Sequence, residues 1–129
     1  MSEANIDLVK SLYEAFGRRD VAAIFGMIDS SIEIHQTELL PWGGQYKGSQ
    51  GLQTFFAKLM GYVDSQLAAD RFLDAGDDVV MIGRTHGKTR AKETPFDVTA
   101  IHIWTVRGGK IVGFHSYIDT PAMLKALAA

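Results

Sequence analysis

The 129-residue chain has no cysteine and only three prolines. Without thiols there are no disulfides, no thiolate metal ligands and no cysteine nucleophile, a pattern expected of a protein of the reducing cytoplasm. Lys and Arg number 13 against 15 Asp and Glu, and the resulting net charge of −2 gives no long-range attraction for nucleic acid or anionic lipid. Arg84, Lys88, Arg90 and Lys92 are close in sequence, but no aromatic ladder is interleaved with them, so they read as a solvated hairpin loop. No apolar run approaches the length of a signal core or a membrane span, and the stretch from Met1 to Asn5 is mostly polar. A phosphate loop, a dinucleotide fingerprint and a zincin motif are all missing, so no cofactor and no metal are expected.

What is present is ordinary globular material. Apolar residues make up 47% and charged ones 22%, which predicts one domain, residues 1–129, large enough to bury a core. Ile6, Val9, Leu12 and Phe16 recur at helical spacing after Ser2, a candidate N-cap, and Gly17 offers a stop. Asp20 is a second cap candidate, before Val21, Ile24, Phe25 and Ile28. Ile32, Ile34 and Gln36 alternate with Glu33 and His35 in a short extended segment, followed by the irregular Leu39–Gly44. A third helix opens at Ser49, and its stripe of Leu52, Phe55, Phe56, Leu59 and Val63 reads as a core face. From there the period becomes that of strands: Gln66–Leu73, Val79–Thr85, Phe96–Val106, and a hairpin over Gly108 and Gly109 that runs on to Asp119. Thr120 and Pro121 cap a terminal helix. Helices followed by an antiparallel meander make an α+β order.

With Leu12–Phe16 followed by Asp20, the Leu39–Gly48 run, Gly109-Lys110-Ile111 and Tyr117–Thr120, the chain resembles the SnoaL-like, ketosteroid-isomerase-related branch of the nuclear transport factor two-like superfamily. The resemblance implies a cone: a curved, mixed but mainly antiparallel sheet wrapped around three N-terminal helices, enclosing a deep apolar pocket. It also implies a homodimer. The family hosts isomerases, epoxide hydrolases, polyketide cyclases and non-catalytic binders, so fold alone does not choose a function. By alignment with ketosteroid isomerases, the enolate-binding tyrosine falls on Leu12, with Tyr13 about 100° round the helix. The aspartate base falls on Gln36 and the protonated aspartate near His102. In limonene-epoxide-hydrolase-like relatives the strand motif places an arginine on Arg84 and aspartates on His86 and Ser116. The carboxylates that both reactions need are missing, which disfavours either one.

The residues able to carry chemistry are few. Arg84 and His86 share a strand face with Val80 and Ile82, predicted to line the pocket, with a rim arginine paired to a surface acid as the alternative. His102, beside Ala100, Trp104 and Val106, is the candidate acid or base, with a pKa expected below 6.5 through burial. Arg84 is the candidate anion clamp and His86 an orienting group. Gln36, Trp42, Trp104, Phe114, Ser116 and Leu12 are the candidate substrate-binding residues. The predicted function is cofactor-free proton transfer of the isomerase, cyclase or lyase kind on a small hydrophobic molecule, the alternatives being a binder of a hydrophobic acid and a structural dimer with a filled cavity. Dimerisation is expected through Val79, Met81, Ile101 and Ile103.

Overall fold

The computed structural model describes residues 2–129, without the side chain of Ser2, so the N-cap read there lies outside the described residues. Two helices open the chain, α1 (Ser2–Gly17) and α2 (Val21–Met27). Val9, Leu12 and Ala15 form the buried stripe of α1. Asp20 caps α2 as its position predicts, its Oδ1 accepting from Ala23 N at 3.1 Å. Then come β1 (Ile28–Gln36), β2 (Gly44–Lys47), α3 (Gly48–Tyr62), β3 (Val63–Ala75), β4 (Asp78–Thr89), β5 (Pro95–Arg107), β6 (Lys110–Ile118) and α4 (Thr120–Ala128).

The strands form one sheet in the order β2-β1-β6-β5-β4-β3. Every neighbouring pair is antiparallel except β1 with β6. The sheet is therefore mixed and mainly antiparallel, an α+β architecture as expected. Gly108 and Gly109 adopt φ of +58° and +75° between the paired Arg107 and Lys110, the left-handed turn that matches strand twist in a tight hairpin. Register shifts in β3 between Ala69 and Arg71, and in the β5–β6 pair between Thr105 and Val106, bend the sheet.

Several local readings are corrected. The four-residue β2 lies in a stretch too rich in glycine and polar groups to read as a strand; its pairing with β1 forms it. Asp119, not Thr120, caps α4, its Oδ1 accepting from Ala122 N at 3.2 Å, with Pro121 in the first turn. α1 stops differently as well. Arg19, not Gly17, takes the left-handed conformation (φ +56°), with Arg19 N donating to Phe16 O (3.0 Å) and Asp20 N to Ala15 O (2.9 Å), the Schellman pattern of a helix C-terminus.

The two faces of the sheet decide what the site can contain. Met81 pairs with His102, and His102 with Ser116, so all three point to the concave, helix-covered side. Ile82 pairs with Ile101 and Ile101 with Tyr117 on the convex side. β4 thus turns Val79, Met81 and Thr85 inward, where they are buried, and leaves Arg84 and His86 exposed on the outside. The predicted parity of this strand was inverted. Both its faces are apolar, so alternation alone does not say which one faces the helices.

Candidate functional site

A cavity of about 80 Å³, partly open to solvent, lies between the concave sheet face and the helices. Leu12, Tyr13 and Phe16 of α1, Leu52, Phe55 and Phe56 of α3, and Trp42 form much of its apolar wall. The strands contribute Gln36, Ser65, Thr85, His102, Trp104, Phe114 and Ser116. Among the described residues, none of those lining the cavity is an Asp, Glu, Lys or Arg.

The polar groups are ordered by a short chain of hydrogen bonds. Trp104 Nε1 donates to Tyr13 Oη at 2.9 Å, and Tyr13 Oη lies 2.6 Å from His102 Nδ1. An indole only donates, so the tyrosine oxygen accepts from Trp104, and the acceptor left for its own proton is Nδ1. This fixes the tautomer of His102 with its proton on Nε2. Among the described residues Nε2 has no hydrogen-bond partner, yet no fully buried side-chain nitrogen or oxygen there lacks one. Nε2 therefore reaches the open space of the cavity. Phe114 holds the imidazole edge to face (5.0 Å, 82°) and stacks on Trp104 (4.1 Å, 22°).

Burial sets the charge states. His102 is 4% exposed, and loss of hydration lowers its pKa from 6.5 to about 3, so the imidazole is neutral at pH 7. The expected direction of this shift is met. Burial also pushes the Tyr13 hydroxyl well above the usual tyrosine range, a rise only partly opposed by the bond from Trp104. A second polar point lies at the ends of β1 and β6. Trp42 Nε1 donates to Gln36 Oε1 at 2.9 Å, and Gln36 lines the cavity together with Ser116, its partner in the parallel pair. The loop carrying Trp42 is held by Tyr46, whose hydroxyl lies within hydrogen-bond reach of both Trp42 O (3.0 Å) and Gly43 O (3.1 Å).

Of the residues singled out from sequence, His102, Gln36, Trp42, Trp104, Phe114, Ser116 and Leu12 meet at this cavity. Arg84 and His86 do not. Arg84 Nε donates to Asp97 Oδ1 at 2.5 Å and Nη2 to Asp97 O at 3.0 Å, on side chains 44% and 61% exposed. The surface ion pair is the physical reason for this placement, since a guanidinium turned inward would find no carboxylate to offset its desolvation. Tyr13 is the residue that sequence reading passed over. It stands four positions after Val9 and seven after Ile6, on the buried side of α1, and that spacing was the available signal. Among the described residues no three His, Cys, Asp or Glu side chains gather as a metal's ligands. His102 faces inward, while His115 lies on the convex face, stacked on His35 at 4.5 Å. No helix is long and apolar enough to cross a membrane among the described residues.

A profile of the SnoaL-like domain matches residues 9–114. The chain belongs to the SnoaL-like family. An NTF2-like protein from Burkholderia thailandensis is 31% identical over 95% of both chains, with a TM-score of 0.87. An NTF2-like protein of unknown function from Burkholderia pseudomallei is 24% identical over the whole of both chains, with a TM-score of 0.91. TerC, crystallised with polyporic acid, is 26% identical over 98% of this chain and 99% of its own, with a TM-score of 0.89. No curated protein matches this sequence.

Proposed function

We propose that this SnoaL-like protein is a cofactor-free enzyme of the cyclase or isomerase kind, acting on a largely apolar molecule that carries a carbonyl group. The observation that carries this reading is the Trp104–Tyr13–His102 chain, which aims a single N–H, on Nε2, into an otherwise uncharged cavity. A carbonyl oxygen against Nε2 accepts that bond and becomes more electrophilic at carbon. A fixed donor aimed at developing negative charge, free to pass its proton on, is typically worth about 10²–10⁴-fold in rate. Gln36 and Ser116 orient the polar edge of the substrate, while Leu12, Trp42, Trp104 and Phe114 hold its body.

The missing carboxylates narrow the chemistry. Removal of a proton from carbon needs a base stronger than an imidazole of pKa about 3. A better fit is attack by an enol already present in the substrate on a carbonyl of the same molecule. In that step the new carbon–carbon bond forms as the C=O π bond breaks toward oxygen. The oxygen takes the Nε2 proton, and the proton released by the enol oxygen restores it, so nothing is oxidised and no proton is consumed. TerC crystallised with polyporic acid supports a small organic ligand for such a cavity. Binding without turnover is the second reading, favoured by the low basicity of His102. The test begins with native mass spectrometry of the purified protein, where a retained apolar ligand is expected, and proceeds to turnover of that ligand's enol-bearing precursors. His102→Gln is expected to keep binding and lose about 10²–10⁴-fold in rate. Equal turnover by the variant would leave the binding reading.

We also propose a homodimer through the convex face, with its residues reassigned. Val79 and Met81 are fully buried within one chain, whereas Val80, Ile82, Ile101 and Ile103 form a continuous, partly exposed apolar patch in register. Tyr117, 54% exposed, lies beside Ile101. A second copy would cover this patch.

A further inference from the structure

We propose that Arg19 anchors a carboxylate on the ligand at the cavity mouth while the ligand's apolar body lies inside; this rests on the reading that the cavity takes a ligand. Among the described residues no charged side chain lines the cavity, so an ionised group drawn into it would lose its hydration without compensation. A charge on the ligand must therefore stay at the mouth. Of the six partly exposed lining residues, which include Tyr13 and Ile118, the four residues Phe16, Phe56, Leu59 and Leu67 lie on the side where α1 and α3 face β3, an edge strand of the sheet, and we take that side as the mouth.

Arg19 stands there. Its guanidinium lies 4.4 Å from the centre of the Phe16 ring; Nη1 donates to Phe16 O and Nη2 to Ser65 O, each at 2.8 Å. Phe16 and Ser65 both line the cavity. These two bonds fix the plane of the group and leave the remaining N–H donors of the fork, Nε–H among them, for a ligand. The nearby acid is engaged elsewhere: Asp20 caps α2 through Oδ1 and pairs with Arg18 through Oδ2 at 3.6 Å. The backbone adds a second observation. Arg19 occupies the left-handed position that glycine usually fills at a helix C-terminus, a conformation that costs a non-glycine residue about 1 kcal/mol. A long cationic side chain at a place where the backbone favours glycine fits selection for what that side chain does.

The test compares 1-naphthylacetic acid with 1-naphthylacetamide, probes with the same apolar body, one ionised at pH 7 and one neutral. Calorimetry on the wild type is expected to give at least about tenfold tighter binding of the acid, with the difference shrinking in 0.5 M NaCl, roughly three to four times a physiological ionic strength. Arg19→Gly suits the local backbone and is expected to stay folded, to bind the amide as the wild type does and to lose the preference. Arg19→Lys should retain part of it. Amide binding with no preference for the acid in the wild type, or a preference that survives in Arg19→Gly, overturns the anchor alone. If neither probe binds the wild type, the cavity reading falls and the anchor with it.

Discussion

Neighbouring residues of β5 are apolar on both sides of the sheet, yet they serve different ends. Ala100, His102, Trp104 and Val106 point inward and are buried, whereas Ile101 and Ile103 point outward and stay partly exposed. The inner face alternates apolar bulk with a few polar groups, and among the described residues each side-chain donor it buries completely has a partner. The outer face holds its charges in exposed pairs such as Arg84 with Asp97. A single chain thus completes its inner face alone, while the outer face leaves the apolar patch that the proposed second copy would cover. That contrast explains why both faces look hydrophobic in sequence although only the inner one lines the cavity.

The largest expected effect separates the faces at one residue. Ile103→Asp places a carboxylate at the centre of the outer patch and leaves the core untouched. In a symmetric dimer it acts twice, so the dissociation constant is expected to rise more than a hundredfold, about 3 kcal/mol. Sedimentation velocity at micromolar concentration would read this as a dimer turned monomer, with an unchanged circular dichroism spectrum. A wild type that sediments as a monomer would end the dimer proposal.

On the inner face the corresponding break is Tyr13→Phe. It leaves Trp104 Nε1 without its acceptor and His102 Nδ1 without its donor, in a site too apolar to supply replacements. Two buried groups lose a partner, for a loss of about 2 kcal/mol or more. Urea unfolding measures the loss. Nitrogen chemical shifts of His102 are expected to report its proton shared between both ring positions once the hydroxyl is gone.

The acid response should belong to the inner face as well. Folded His102 stays neutral until about pH 3, whereas the unfolded chain protonates it near 6.5. Between those values the unfolded state binds a proton that the folded state does not. This contribution to stability is complete above pH 6.5 and is lost as pH falls, by about 1.4 kcal/mol per unit and about 2 kcal/mol at pH 5. Comparison of wild type with His102→Gln at pH 7 and pH 5 isolates it from the carboxylates, because only the wild type carries this slope.

The fold was legible in sequence to a greater degree than the site. Periodicity and paired glycines set out the helices and the β5–β6 hairpin, because local pattern and tertiary burial agree there. β1 was readable face by face, since Glu33 and His35 alternate with Ile32, Ile34 and Gln36. β4 was not, because Val79 through Ile82 is apolar without interruption and only tertiary contact assigns its sides. Tyr13 escaped for a related reason: alignment with relatives pointed to Leu12, and both side chains turn out to line the cavity. Arg19 carries no motif at all, and its position depends on how the end of α1 meets β3.

The smallest expected effect is at Arg84, and it bears on the comparison because the sequence offers this residue both as a pocket anion clamp and as a rim arginine paired with a surface acid. Its side chain is 44% exposed and that of Asp97 61% exposed, so water and salt screen the pair although its geometry is good. The backbone carbonyl of Asp97 accepts a second bond from the same guanidinium, which adds orientation more than energy. Arg84→Ala should therefore change stability by less than about 1 kcal/mol. It should leave the affinity for an apolar ligand and any turnover where they are, since Arg84 and the cavity lie on opposite sides of β4. Charge matters to this ligand at the mouth, through Arg19, and the two arginines can be told apart by one titration with the naphthyl acid. Loss of acid binding in Arg84→Ala, with binding intact in Arg19→Gly, would reverse the assignment of faces on which the site is built.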